Sequence, residues 1–473
     1  MTSIKETIVK NTLWLSSAQL INSVITYLLV VFIARNLGDV SFGEYSFLFS
    51  FTVLTFIFSD LGLNILLMKE VSRDNSRLNH YFNSIFTLKI ILSLLSFIFT
   101  LIISFFFYSL TLNLLLTMII SFLMIITDFF YYTFNTLNRT NISSFSIIIE
   151  RIAAISLIFY GLYIRSDLTL VLIMLIISYS IKLLFLSYNL RGLVKIKFLI
   201  NYYEWKIMIK ESVPFFLTSV FLFIYFKIDT VILHFMTTDQ YVGWYTAAYK
   251  FLDALILIPQ LLIIAIFPSM SKLYIEDKTV LKDLFNRTLR YLIILGTPIS
   301  IGLFILSKRL IMFIFGNEFI KSTPILQVLV FTIPFLFINY LIGNLLMSID
   351  KQKYFTITTG LCALINIILN LILIPYYSYL GAAIATVITE IINLGMLFYY
   401  SKKFILTVNI LSKSTLKSMI SGIIMGIIIY NIQFLHIIFI VSIGIITYFT
   451  SLFILGIEKE DKELIKLVIK KFI

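Results

Sequence analysis

The chain is expected to be an all-α integral membrane protein of about 14 transmembrane helices, at about 20 residues per crossing. Three observations carry this. Hydrophobic residues make up 60% of the chain against 13% charged, with a mean hydropathy of +1.01, which leaves too little polar surface to face water. Charges are confined largely to short gaps between long apolar runs. Those runs are continuous rather than alternating, which excludes a β-barrel.

The expected spans open with 12–34, 45–68, 85–107, 112–134, 142–164 and 168–190. The first has no small-residue cleavage site after it and is too long for a signal-peptide core, so it is expected to be retained. They continue with 213–236, 243–268, 291–306, 325–347, 354–374, 381–400, 416–434 and 436–457. The ninth is short and carries Gly296, Pro298 and Gly302. Pro259, Pro298 and Pro334 lie well inside spans, where a missing N–H bends a helix.

With the N-terminus inside, the inner gaps and tail hold 27 Lys and Arg and the outer gaps only 5, namely Arg35, Arg165, Lys308, Arg309 and Lys321. This asymmetry places both termini in the cytoplasm. It also accounts for the net charge of +13, so the basic balance does not indicate nucleic-acid binding. Cys362 is the single cysteine, and His80, His234 and His436 fall in separate places. No disulfide framework or metal site is expected.

The longest gap splits the first twelve spans into six plus six. Residues 1–190 form an expected N-terminal lobe, 191–212 a basic cytoplasmic linker, and 213–403 a second lobe. Phe42-Gly43-Glu44-Tyr45 and Val242-Gly243-Trp244-Tyr245 occupy equivalent gaps, and Phe51 and Phe251 keep the register. Six spans separate the copies, so the lobes are expected to be related by an axis along the membrane normal, with substrate between them. Residues 404–457 hold an extra hairpin without a counterpart in the repeat. Residues 458–473 read as an amphipathic tail on the inner leaflet, with Leu464, Val468 and Phe472 on one face.

Ionisable groups within spans usually face a cavity or a partner, because each costs about 2.5–3.5 kcal/mol to insert. The cations are Lys89, Arg151, Lys182, Lys227 and Lys250, with Arg35 at the outer end of the first span; the acids are Asp60, Asp128, Glu150, Asp229, Asp253 and Glu390. Lys89 is one turn into its span and is expected to snorkel. Lys182 either snorkels or neutralises Asp128 or Glu150. Arg151 is expected to find its partner away from its neighbour Glu150, either in an ion pair or in a ligand anion. Lys250 and Asp253 can pair at i, i+3, whereas Lys227 and Asp229 point about 200° apart. A cavity with Arg35, Arg151, Lys227 and Lys250 would suit a pyrophosphate. Asp60, Asp229, Asp253 and Glu390 would either balance those cations or bind H⁺ or Na⁺ for coupling.

Ala34-Arg35-Asn36-Leu37-Gly38, Phe42-Gly43-x-Tyr45 and Asp60-Leu61-Gly62-Leu63, followed by Lys69-Glu70, resemble the start of Wzx-type polysaccharide (O-antigen) flippases of the multidrug/oligosaccharidyl-lipid/polysaccharide exporter superfamily. Asp229-x-Val231-Ile232-Leu233, Ala247-Ala248-Tyr249-Lys250, Pro268-Ser269-Met270-Ser271, Asn366-x-x-x-Asn370 and Gly381-Ala382-Ala383 continue the resemblance. The family commonly has proline where Asp39 or Val40 stands. The resemblance implies two six-helix lobes in a V, as in multidrug exporters, alternating access and a cationic cavity. It also implies a polyprenyl-pyrophosphate-linked oligosaccharide as substrate, flipped from the cytoplasmic to the outer leaflet of the cell membrane for lipopolysaccharide O-antigen or another surface polysaccharide. A polysaccharide polymerase or ligase would act downstream. No organic cofactor and no covalent chemistry are implied. A multidrug or organic-cation antiporter wants an acidic or aromatic cavity, and a membrane polymerase or ligase wants a large outer loop; this sequence favours neither.

Overall fold

The computed structural model of the protein describes residues 2–404 and 413–456, with side chains from Ile21 onward. The expected amphipathic tail lies outside the described residues. Two compact units divide between Thr246 and Ala247.

The first unit contains α1 (Thr2–Phe56), α2 (Leu63–Arg73), α3 (Leu78–Phe107), α4 (Leu112–Thr136), α5 (Thr140–Ile164), α6 (Leu168–Leu190) and α7 (Tyr202–Met236). The division falls within α8 (Asp239–Leu255). The second unit continues through α9 (Leu257–Glu276), α10 (Lys278–Ile314), α11 (Ser322–Leu329) and α12 (Thr332–Ser348). It ends with α13 (Gln352–Phe404), α14 (Lys413–Asn431) and α15 (Ile437–Ile454).

Among the described residues, eleven helical segments are long and apolar enough to cross a membrane, or twelve if α11 and α12, bent by 46°, form one crossing. Two of these segments hold a pair of expected spans each. Gly38 (φ 78°) interrupts α1 and Ser378 (φ 48°) interrupts α13. Those breaks fall between the expected spans of each pair, whereas the expected 45–68 runs across a further break at Asp60–Gly62 and 243–268 across one at Ile256. Pro375 removes a backbone donor just before Ser378, and the chain turns there. The prolines expected inside spans behave unequally. Pro259 and Pro334 fall in the first turns of α9 and α12, directly after breaks at Ile256 and at Val330–Phe331. At such positions the missing N–H leaves the previous turn without its bond, so the helix restarts. Pro298 stays within the continuous α10.

Polar residues start several helices by accepting otherwise orphaned N–H groups. Thr111 caps α4, Asp167 caps α6 and Asp277 caps α10. The Asp277 carboxylate accepts from the Thr279 hydroxyl and from Thr279 N and Val280 N, and these bonds hold its pKa below the ordinary 3.8.

The core of the first unit joins Leu63, Phe82, Phe129, Phe134, Leu186 and Trp205, from five different helices. The Trp205 indole donates to Ser84 Oγ at 3.1 Å. The segment between α6 and α7 is pinned along α3. Lys195 N donates to Asn79 Oδ1 (3.2 Å), Lys197 N to Asn83 Oδ1 (2.7 Å) and Leu199 N to Thr87 Oγ1 (3.0 Å). Asn83 Nδ2 returns a bond to Lys195 O at 2.9 Å. The spacing explains the fit: four helical residues rise about 6 Å, and two extended residues span about 6.6 Å.

The two copies of the G-x-Y repeat meet within this unit. A Cβ at Gly43 would stand 1.7 Å from Asp239 O, and one at Gly243 would stand 2.0 Å from Asp39 O. The contact is reciprocal, because Asp39 and Asp239 are themselves 200 residues apart. Asp39 Oδ2 accepts from Trp244 Nε1 (2.7 Å) and Gln240 Nε2 (2.9 Å). Nearby, His234 stacks on Phe47 and pairs with Asp239 at 2.7 Å.

In the second unit the extra hairpin, α14 and α15, docks on α10. Leu306, Met425, Ile429, Ile440 and Tyr448 form its core. Tyr448 Oη donates to Ile294 O at 2.7 Å, and Arg309 Nη1 donates to Leu435 O at 2.9 Å. Gly422 and Gly426 let α14 approach closely; a Cβ at Gly422 would lie 2.6 Å from Ile301 Cδ1.

Candidate functional site

Apolar spans make every buried charge informative, and the structure gives most of them a partner. Lys89 on α3 does not snorkel as expected. Its side chain is 2% exposed and donates to Asp60 Oδ1, and the ammonium lies 5.5 Å from the centre of the Phe129 ring. Asp60 sits in the break between α1 and α2, where Leu61 and Gly62 both take positive φ. That turn carries its carboxylate to a cation 29 residues away, which is a stronger attraction than the distant interface.

Arg151 also departs from expectation. Its Nε lies 3.3 Å from Glu150 Oε2 and donates to Asn22 Oδ1 at 2.7 Å. Adjacent helix positions diverge at Cβ, but a guanidinium on a three-carbon stem can fold back across that angle. Lys182 on α6 is buried and lies 3.7 Å from Asp128 on α4, one of the two alternatives the sequence left open.

These groups line an open cavity of about 290 Å³ between α1, α4, α5 and α6. Asn22, Asp128, Tyr131, Tyr132, Glu150, Arg151, Tyr179 and Lys182 supply its polar lining. Glu150 is 1% exposed, and its Oε1 accepts no hydrogen bond. Of the four cations expected to bind substrate, only Arg151 lines this cavity. Arg35 lies on an exposed stretch of α1 near the Gly38 break, and no ion pair found among the described residues involves it. Lys227 is half-buried on α7. Lys250 lies in the second unit and pairs with Asp253 at 2.8 Å, as the i, i+3 spacing predicts.

The remaining acids are buried in polar company. Asp229 Oδ2 accepts from Tyr245 Oη at 2.7 Å, and Glu390 Oε2 accepts from Asn339 Nδ2 at 2.7 Å. Sequence reasoning noted Asp128, Glu150 and Lys182 as intramembrane charges but left them out of the expected binding set. It passed over Asn22 and the three tyrosines, which carry no formal charge to mark them within apolar runs.

Residues 8–274, more than half of the chain, match the model of the family described as polysaccharide biosynthesis protein. The chain belongs to that family. Residues 214–372 of this polysaccharide biosynthesis protein family member also match the MatE family. It is 23% identical over 184 residues to the probable low-salt glycan biosynthesis flippase Agl15 of Haloferax volcanii, covering 39% of each chain. It is 28% identical over 191 residues to a putative O-antigen transporter of Shigella dysenteriae, covering 39% of this chain and 46% of that one. The alignments thus span less than half the length of these relatives. Among solved structures, the lipid II flippase MurJ in an inward closed conformation is similar with a TM-score of 0.75 at 21% identity, over 92% of this chain and 97% of that one. An inward-facing multidrug resistance MATE transporter reaches 0.65 at 13% identity, over 81% and 94%. The fold is therefore the one shared by these two solved structures.

Proposed function

We propose that the protein is a flippase that moves a polyprenyl-pyrophosphate-linked oligosaccharide from the cytoplasmic to the outer leaflet for surface polysaccharide biosynthesis. The observation that carries this reading is the polar cavity holding Arg151 and Lys182 within membrane-spanning helices of a polysaccharide biosynthesis family member. A guanidinium binds phosphate oxygens in pairs and keeps its charge at every relevant pH. Glycan flippase and O-antigen transporter relatives support the substrate class.

In this reading residues 1–190 and 213–403 are the lobes that rock in alternating access, and both termini are cytoplasmic. Arg35, Lys227 and Lys250 contact the sugar-phosphate head as it passes. Asp60 and Asp253 serve mainly as counter-charges, since each sits against a lysine. Asp229 and Glu390 are the acids open to H⁺ or Na⁺ coupling. The chain does no covalent chemistry and delivers its product to a polymerase or ligase. The MatE match over residues 214–372 favours one other reading, a multidrug antiporter, but Arg151 and Lys182 in the cavity suit an anion better than an organic cation.

The test is the sidedness of polyprenyl-linked oligosaccharide in membranes with and without the protein, read by a glycan-cleaving probe confined to the outer face. Loss of outer-face substrate with build-up inside supports flipping. Unchanged sidedness with altered drug efflux would replace the proposal with the antiporter reading.

A further inference from the structure

The cavity has a charge balance that a plain anion site would not have. Two cations, Arg151 and Lys182, face two carboxylates, Glu150 and Asp128, at 3.3 and 3.7 Å. The helices packed against α5 add only neutral groups: Asn22 and Tyr45 from α1, Tyr131 and Tyr132 from α4, and Tyr179 from α6. Tyrosine, with a pKa near 10, stays uncharged across the physiological range. The pocket therefore holds no net charge when both acids are ionised, and an entering anion meets two carboxylates as well as two cations.

We propose that this cavity is a proton-linked anion site, in which Glu150 takes up a proton as Arg151 and Lys182 turn from their carboxylates to a pyrophosphate-type anion. The inference rests on the flippase reading for the identity of that anion. The physical cause is the cost of an uncompensated charge in the membrane. Glu150 is buried, and its carboxylate is offset by the charges of Arg151 and Lys182, with Oε1 accepting no bond. When Arg151 and Lys182 engage the anion, Glu150 loses that compensation and becomes neutral by protonation. The proton enters through Asp128, whose side chain is 52% exposed at the mouth. No bond other than O–H forms. By reciprocity, a proton on Glu150 raises anion affinity by the factor by which the anion favours the proton.

The test uses full-length protein in nanodiscs and a water-soluble dialkyl pyrophosphate diester, whose own ionisations lie far below pH 5. Titration calorimetry between pH 5.5 and 8, in two buffers of different ionisation enthalpy, gives affinity and protons exchanged. The wild type should take up about one proton per anion bound, with affinity rising up to about tenfold per unit fall in pH over the titration range. Glu150→Gln should bind with that proton uptake removed, and Arg151→Gln should bind at least about tenfold more weakly. Wild-type binding that is absent or independent of pH overturns the proposal, and this measurement stands even where a variant does not fold. Undiminished proton uptake in Glu150→Gln overturns it as well. Flipping by the wild type together with pH-independent binding would sink the proton linkage alone, whereas absence of flipping would sink the reading beneath it.

Discussion

Gly43→Ala puts a methyl group where the structure has a backbone carbonyl. The new Cβ would stand 1.7 Å from Asp239 O, and its nearest neighbours are all backbone atoms that cannot rotate away. An ordinary contact needs about twice that separation, so the two turns must part by roughly 1.5 Å. Overpacking of this kind costs about 1–3 kcal/mol. Parting also stretches the bonds from Trp244 and Gln240 to the Asp39 carboxylate, each worth about 1.5–3 kcal/mol when lost outright. Gly243→Ala strains the same contact from the other side. Once one methyl has separated the turns, the second meets open space. The double variant should therefore cost clearly less than the two single variants together, with a coupling of about 1 kcal/mol or more. Thermal unfolding in detergent measures all three, and Trp244 fluorescence, in a background lacking Trp14 and Trp205, reports loss of the indole bond. Single variants within 0.5 kcal/mol of wild type, or a strictly additive pair, would refute the close reciprocal contact.

Asp60→Asn should destabilise by about 3 kcal/mol, because it leaves the buried Lys89 ammonium uncompensated; Asp60 is one-third exposed, so the low end of the range for buried pairs applies. Restoring neutrality with Lys89→Met in the same chain should recover much of that loss in the same unfolding assay. Gly422→Val should weaken docking of α14 on α10 and render the hairpin more sensitive to limited proteolysis; an unaltered digestion pattern would count against the packing. Asp277 has a depressed pKa, so its capping contribution is complete above the ordinary aspartate pKa and is lost as pH falls through the lower folded value. Hydrogen exchange at Thr279 and Val280 should accelerate only in that acidic window, and Asp277→Ala should remove the dependence.

The spans were readable because long apolar runs have one outcome in a bilayer. The break in α13 was readable as the gap between the expected spans 354–374 and 381–400, and the Lys250–Asp253 pair followed from helical spacing. The Asp60–Lys89 pair was not readable, since its geometry depends on a left-handed turn at Leu61-Gly62 and on which face of α3 packs inward. Burial of Lys89 is a tertiary outcome that snorkelling rules, drawn from isolated helices, do not contain. The Arg151–Glu150 contact failed for a related reason: spacing rules describe Cβ directions, and a long guanidinium side chain is not bound by them. The cavity tyrosines looked like any aromatic residue in an apolar run until four helices placed their hydroxyls beside charge.

The segment pinned along α3 sets a rule of parity for how this chain can change length. Its donors at Lys195, Lys197 and Leu199 recur every second residue, while the acceptors at Asn79, Asn83 and Thr87 recur every fourth. Deleting or inserting one residue among 195–199 turns the wrong N–H groups toward the helix and strands the acceptors downstream of the change. A change of two residues keeps the alternation and shifts the segment by one rung. Natural variation in this connection should therefore come in even steps, and an engineered tag placed there should be accepted or rejected by its parity more than by its size.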